Sequence, residues 1–349
     1  MNSPHDEWLQ REQLRMRVMQ CGFDDVRFAA ATQLIEESTR YEEWIQQGFH
    51  GSMQYLERNI DKRKDVTLVQ PQAQTVIVVA KTYYTPHTHN NTPAHTPNGG
   101  NSGKAEDHHA DATTTDNVIR SEYGKISRYA WGDDYHELIT KQLDSSIEQL
   151  QKDYPQHSFR RYTDTGPVME KAWAVRSGIG WQGKNSNILS RSLGSYFFLG
   201  VIITTLKVEP DAPVQDHCGT CTACIDACPT HAIVQPSVVD ATRCISYWTI
   251  ETKGQGEMPP EVQQNLDGWL YGCDVCQEVC PWNRFAVTTS EPAFQPRLQQ
   301  TSLNPDAVLT MSEEDFRNRF KGSPIKRTKL RGLQRNAREL RSYYQQHRQ

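Results

Sequence analysis

No stretch of about 18 apolar residues occurs anywhere in these 349 residues, so no membrane-spanning helix is expected. The first twenty residues are charged and polar, without the apolar core of a secretory leader. A cytoplasmic location is therefore expected. In that reducing compartment cysteines serve as ligands or catalysts more often than as disulfides. No glycine fingerprint for a dinucleotide stands in strand–turn–helix register, so a nicotinamide cofactor is not inferred. Internal repeats are absent apart from two cysteine runs.

What is present is unevenly spread. Residues 317–349 carry eleven Lys or Arg against one acid, Glu339, about +10, while the whole chain is −4. A basic end on an acidic body suits an anionic partner such as a nucleic acid, and charge alone fits a solvated helix face equally. Helix periodicity marks residues 7–19, 30–47, 134–151 and 168–177, the last entered through Gly166-Pro167. Apolar runs at 75–84 and 195–206 and shorter ones at 26–30 and 158–162 read as strands. The alternation implies an α/β (α+β) domain over residues 1–210. Residues 211–290 form a cysteine-rich domain and 291–349 a basic helical segment. The stretch 86–116 is rich in His, Asn, Thr, Gly and Pro. It is expected to be a flexible insertion, because it has little apolar surface to offset ordering entropy. Five of the twelve histidines lie there (His87, His89, His95, His108 and His109), which also suits a metal-binding tract.

Eight of the nine cysteines form one constellation. The first run is Cys218-x2-Cys221-x2-Cys224-x3-Cys228-Pro; the second is Cys273-x2-Cys276-x3-Cys280-Pro, preceded by Cys244. This is the bacterial two-cluster ferredoxin spacing, with one cysteine moved upstream. Two-residue gaps let a tight loop aim thiolates at a cubane, and the cysteine before proline reaches the other cluster. One [4Fe-4S] cluster thus takes Cys218, Cys221, Cys224 and Cys280, the other Cys228, Cys244, Cys273 and Cys276. Four-cysteine zinc sites usually show separated two-residue knuckles and fit poorly. Cys21 is left over as a packed or surface thiol.

About 210 residues precede the clusters, too many for an electron carrier alone. Between the strand at 158–162 and the next helix lie Asp164-Thr-Gly-Pro-Val-Met-Glu170. Locally, Asp164 reads as a helix cap. Functionally it is an acid at the C-terminal edge of a sheet, where α/β ligand sites form. Residues 177–187 hold three glycines with Lys184, Asn185 and Asn187, either a turn or a loop that approaches a polar ligand closely.

Taken together, Asp61-Lys62-Arg63-Lys64, Ser127-Arg128-Tyr129, Tyr135-His136, Asp164-Thr165-Gly166, Gly178-Ile-Gly-Trp, Gly183-Lys184-Asn185, Arg243-Cys244-Ile245-Ser246, Leu270-Tyr-Gly-Cys273-Asp274 and both cysteine runs resemble the epoxyqueuosine reductase family, related to reductive dehalogenases. The resemblance covers residues 5–340 in order. It implies a cobalamin cofactor, cob(II)alamin, in the first domain beside one cluster, held without a lower histidine ligand. No Asp-x-His-x-x-Gly segment is present to supply one. It implies that Arg63, Ser127, Asp164, Lys184, Asn185, Ser195 and Asp274 line the corrin and substrate, with Asp164 as proton donor. The implied reaction is two-electron reduction of epoxyqueuosine to queuosine at the tRNA wobble position. The implied partners are the tRNA, contacted by the basic tail, and a small reductant protein such as ferredoxin or flavodoxin, with the enzyme a monomer. A corrinoid dehalogenase and a non-enzymatic electron-transfer protein are the alternatives. The insertion is longer than the family needs.

Overall fold

The structure, a computed structural model, describes residues 4–89 and 123–347. Four strands form the main sheet in the order β1-β2-β7-β4: β1 (Asp25–Ala30), β2 (Thr75–Thr82), β4 (Phe159–Tyr162) and β7 (Phe197–Thr204). Every pairing in it is antiparallel. Helix and strand are mixed, as the sequence implies, but the directions make the architecture α+β. Reasoning about the carboxyl edge of parallel strands therefore does not apply to Asp164.

All eight residues of β2 are buried because both faces of the sheet are covered. Ile77 and Val79 pack with Phe28, Ile202 and the helix Tyr135–Asp153 through Ile139 and Leu143. Val76, Val78 and Ala80 face the other way, onto Trp173 and Ala174 of the helix Glu170–Arg176. Alternate residues thus feed two cores, which explains the continuous apolar run. Gly200 of β7 admits the long helix: a Cβ there would meet Leu143, Val79 and Ile139 at 3.1–3.2 Å.

A third core lies towards the C-terminus. Here β3 (Gly124–Ile126) pairs parallel with β10 (Trp269–Tyr271) and antiparallel with β11 (Ser302–Leu303). Around this small sheet pack Leu330, Leu333, Ala337 and Leu340 of the helix Lys329–Gln346. Two hairpins complete the strands, β5–β6 (Trp181–Gln182, Ile188–Leu189) and β8–β9 (Ile233–Gln235, Val238–Val239).

The basic tail divides when folded. Arg335 is buried, donating to the Trp248 carbonyl and to Thr252 Oγ1. Arg327 pairs with Glu251 at 2.8 Å and Arg341 with Asp306 at 3.2 Å. Lys321, Lys326, Lys329, Arg331 and Arg338 are exposed.

Of the expected insertion, residues 90–116 lie outside the described residues, His95, His108 and His109 among them. Its start is not a free surface loop. His89 is buried, edge-on to Trp131 and Trp269, and its Nε2 donates to the Ile126 carbonyl at 3.0 Å. Burial lowers that imidazole to about 4.

Candidate active site and metal centres

Each cysteine run includes a four-residue helix, Ala223–Asp226 in the first and Val275–Glu278 in the second. These short helices pack on each other, so the two runs interleave. A cavity of about 200 Å³ is lined by Cys218, Cys221, Cys224 and Cys280 with Lys184, Trp282 and others. Burial pushes the Cys224 thiol up, and Cys280, Cys218 and Cys221 push it further. Burial likewise raises the thiols of Cys244, Cys273 and Cys276; beyond it, Cys228 acts on Cys244, Cys244 and Cys276 on Cys273, and Cys244 and Cys228 on Cys276. Cys224 of the first run also acts on Cys276 of the second, so the two groups of thiols lie close together.

Crowding four thiols raises the cost of ionising them, and a cationic iron cluster would reverse that cost. A single zinc would need sulfurs about 3.8 Å apart, from bonds of about 2.3 Å. Among the described residues, no three Cys, His, Asp or Glu side chains are arranged to hold one metal ion. Sulfurs gathered around a space rather than a point fit a cluster. Cys21 stands apart, its thiol facing the Arg17 carbonyl.

The other half of the site is built on the turn after β4. Thr163 Oγ1 anchors the turn to the Leu199 carbonyl at 3.0 Å. Asp164 follows in a left-handed conformation, φ +51°, which costs free energy for a residue with a Cβ. Its carboxylate accepts the Tyr135 hydroxyl and its N–H donates to Glu170 Oε1 at 3.0 Å. Tyr135 is fixed by stacking on Phe198 at 4.0 Å. Asp164 itself is exposed.

Glu170 is pushed up to about 8, first by burial and then by the Asp164 charge, with Arg63 opposing. Lys171 is exposed in area, yet burial lowers its ammonium, against Asp164 and Cys276. A side chain that is exposed yet walled by protein marks a concave region, the hollow, with Asp164 and Cys276 near its sides; in it Lys171 Nζ donates to the Ser186 carbonyl at 2.9 Å. Tyr55 senses Glu251, Arg327 and Asp164, which brings the C-terminal segment to the same hollow.

The residues implied by resemblance fall into three groups. Arg63 and Asp164 face the hollow, with Arg63 also over the Tyr41 ring at 5.7 Å. Lys184, Asn185 and Ser195 grip the cysteine loops. Lys184 Nζ donates to the Gly219 and Cys221 carbonyls at 2.7 and 2.9 Å, and Asn185 Nδ2 to the Cys276 carbonyl at 2.9 Å. Ser195 Oγ donates to Gln277 Oε1 at 2.8 Å. Ser127 and Asp274 are buried partners: the hydroxyl donates to Asp274 Oδ1 and the Arg128 N–H to Oδ2, joining β3 to the second run. Burial raises the Asp274 carboxyl.

Tyr135, Glu170, Lys171, Tyr55 and Glu251 were not singled out from sequence as site residues; Arg327, part of the basic tail, pairs with Glu251. Only Glu170 carries a local signal, as an acid on the first turn of the helix after Asp164.

Comparison with known proteins agrees with this geometry. A family model described as a 4Fe-4S double cluster binding domain matches residues 217–283, and one described as Epoxyqueuosine reductase QueG, DUF1730 matches residues 63–165. The epoxyqueuosine reductase of Cellulophaga algicola is 41% identical over 332 residues, 95% of this chain and 96% of that one. That of Synechocystis sp. is also 41% identical, over 86% and 94%. A crystal structure of epoxyqueuosine reductase with an epoxyqueuosine-modified tRNA-Tyr stem loop superposes with a TM-score of 0.82 at 29% identity, covering 97% of this chain and 82% of that one. The Bacillus subtilis enzyme, solved with its catalytic aspartate loop swung out of the active site, gives 0.82 at 28% identity, with coverage of 97% and 82%. Identity of this level along nearly the whole length, through both the cysteine runs and the Asp164 turn, means that the chain belongs to the epoxyqueuosine reductase family.

Proposed function

We propose that this protein reduces epoxyqueuosine to queuosine at the wobble position of tRNA, with electrons relayed through two [4Fe-4S] clusters to cobalamin. One observation carries the reading: Lys171 lies within electrostatic reach of both Asp164 and Cys276, which puts the acid and a cysteine of the second run around one side chain. A carrier needs no such hollow, and a dehalogenase needs no basic ridge.

The hollow suits a corrin. Hydrogen-bonding side chains from several elements gather around it: Arg63, Lys171, Tyr55 and Asp164. Arg63 and Asp164 would hold the group at its rim, with Lys184, Asn185 and Ser195 fixing the cysteine loops beside it. When bound, cobalamin supplies a low-valent cobalt able to reduce an epoxide carbon. The chain supplies the rest. Opening the epoxide leaves an alkoxide that must be protonated, and Asp164 is the acid placed to do so. The carboxylate left behind accepts the Tyr135 hydroxyl, which stabilises the ionised form.

Lys321, Lys326, Lys329, Arg331 and Arg338 form the exposed basic part of the C-terminal segment, the ridge that flanks Arg327 in sequence. It would carry tRNA phosphates while the unstacked wobble base enters. A small reductant protein, ferredoxin or flavodoxin, would deliver electrons at the more open cluster, to a monomeric, cytoplasmic enzyme. Among the described residues no helix is long and apolar enough to cross a membrane. We read residues 1–210, 211–290 and 291–349 as corrin, cluster and tRNA-contacting units.

The test is nucleoside mass spectrometry of tRNA from a strain lacking the gene. Accumulated epoxyqueuosine is expected, restored to queuosine by the intact chain. Unchanged queuosine would refute the reading. The absorption spectrum of anaerobically reconstituted protein separates a corrinoid enzyme from a carrier.

A further inference from the structure

The reduction consumes more protons than Asp164 holds. Turning an epoxide into a carbon–carbon double bond breaks both C–O bonds and forms one C–C π bond. The oxygen leaves as water after taking two protons, with two electrons arriving singly through the clusters from a low-potential one-electron reductant. One carboxyl delivers one proton. The second must come from another acid or from solvent, and a hollow filled by cofactor and nucleoside has little room for solvent.

We propose that Glu170 is a positioning residue that also stores this second proton, returning it to Asp164 within one turnover. The inference rests on the proposed reaction. Geometry supports it in three ways. Glu170 Oε1 accepts the Asp164 N–H at 3.0 Å, so the second carboxyl is fastened to the backbone of the first. That bond, with the Thr163 anchor, holds Asp164 in its left-handed turn. Glu170 also opens the helix that covers one face of β2 and β7, a rigid mount for an acid that must meet a loop residue repeatedly.

The surroundings favour a protonated Glu170. Asp164 faces Glu170 from the turn and Arg63 faces it from the helix Ile60–Lys64. Lys171 on the same helix, Tyr135 on the long helix and Tyr55 before the Arg63 helix all face Asp164. Burial first, and then the neighbouring Asp164 charge, raise the Glu170 carboxyl to about 8 against the pull of Arg63, so Glu170 holds its own proton at neutral pH.

Glu170→Gln retains an oxygen for the Asp164 N–H but carries no proton; Glu170→Ala loses both. The holoenzyme, loaded with clusters and cobalamin, is assayed on an epoxyqueuosine-bearing stem loop from pH 6 to 9. Wild type is expected to lose activity as pH rises through about 8. Glu170→Gln should keep wild-type cluster and corrin absorption, turn over about tenfold or more slowly at pH 7, and lack that alkaline fall. Infrared difference titration should find a protonated carboxyl stretch in wild type that disappears near the same pH and is missing from Glu170→Gln. Glu170→Gln with wild-type rate and profile overturns the proposal. So does a variant slowed at every pH with the profile unchanged, which would leave Glu170 a clamp only. A loaded wild type inert on the stem loop refutes the proposed reaction itself, a failure recognisable because it appears before any variant is compared.

Discussion

The two cysteine cages are alike in ligand number and differ in setting. Cys221 of the first is exposed, and its cage opens onto a cavity edged by Pro281, Trp282 and Arg284. In the second, protein encloses Cys244, Cys273 and Cys276 strongly enough to raise all three thiols by burial, and Cys276 feels the hollow through Lys171. Near-symmetry in sequence has become an outside and an inside. On the proposed function, an electron arriving from a partner would meet the first cage, and the chemistry would sit against the second. Crossed ligation, with Cys228 in the inner set and Cys280 in the outer one, would bind the two into one unit.

The comparison breaks most readily at the ligands. Cys276→Ala should halve the iron content, from about eight to about four per chain, and abolish turnover with any reductant. Cys221→Ala should cost the outer cluster but leave measurable turnover with a small chemical reductant that bypasses the entry port. Iron analysis and assays with protein and chemical reductants check both. If the small reductant rescues both variants equally, the cages do not differ in role. Next in size, Asp164→Asn should lower turnover about a hundredfold or more while iron content and corrin absorption stay unchanged. Full activity would return Asp164 to helix capping.

A smaller effect is expected at Lys184, whose ammonium lies on the outer loop through the Gly219 and Cys221 carbonyls. Lys184→Gln removes a positive charge that favours the reduced cluster. The outer potential should fall and the inner one stay, as read by redox-poised electron paramagnetic resonance. Equal shifts in both would dissolve the distinction. The smallest change is at the ridge. Arg331→Glu should weaken stem-loop binding a few-fold and flatten its salt dependence by about one contact. Arg335→Gln should instead lower thermal stability, since its guanidinium is spent inside the fold.

Much of this was legible in one dimension. Thiolate spacing pointed to a double-cluster domain, which the family model over residues 217–283 matches, because a cubane's size limits how far apart cysteines on one loop can be. The apolar run at β2 signalled burial on both sides, and it is buried on both. Strand direction was not legible, since an eight-residue apolar run reads the same in parallel and antiparallel sheets. The flexible insertion was read from composition, which cannot register that His89 finds a slot between two tryptophans distant in sequence. The tail was read as uniformly basic, because counting charges cannot reveal which ones helix packing turns inward.

By itself the sequence determined what is local: the cysteine spacing, which runs are buried and that an acid follows β4. Tertiary structure alone decided that the two cysteine runs interleave, that Lys184, Asn185 and Ser195 grip the cysteine loops, and that Glu170 sits on the Asp164 backbone. Those are matters of through-space distance and desolvation, set by chain segments that meet only once the three cores have formed.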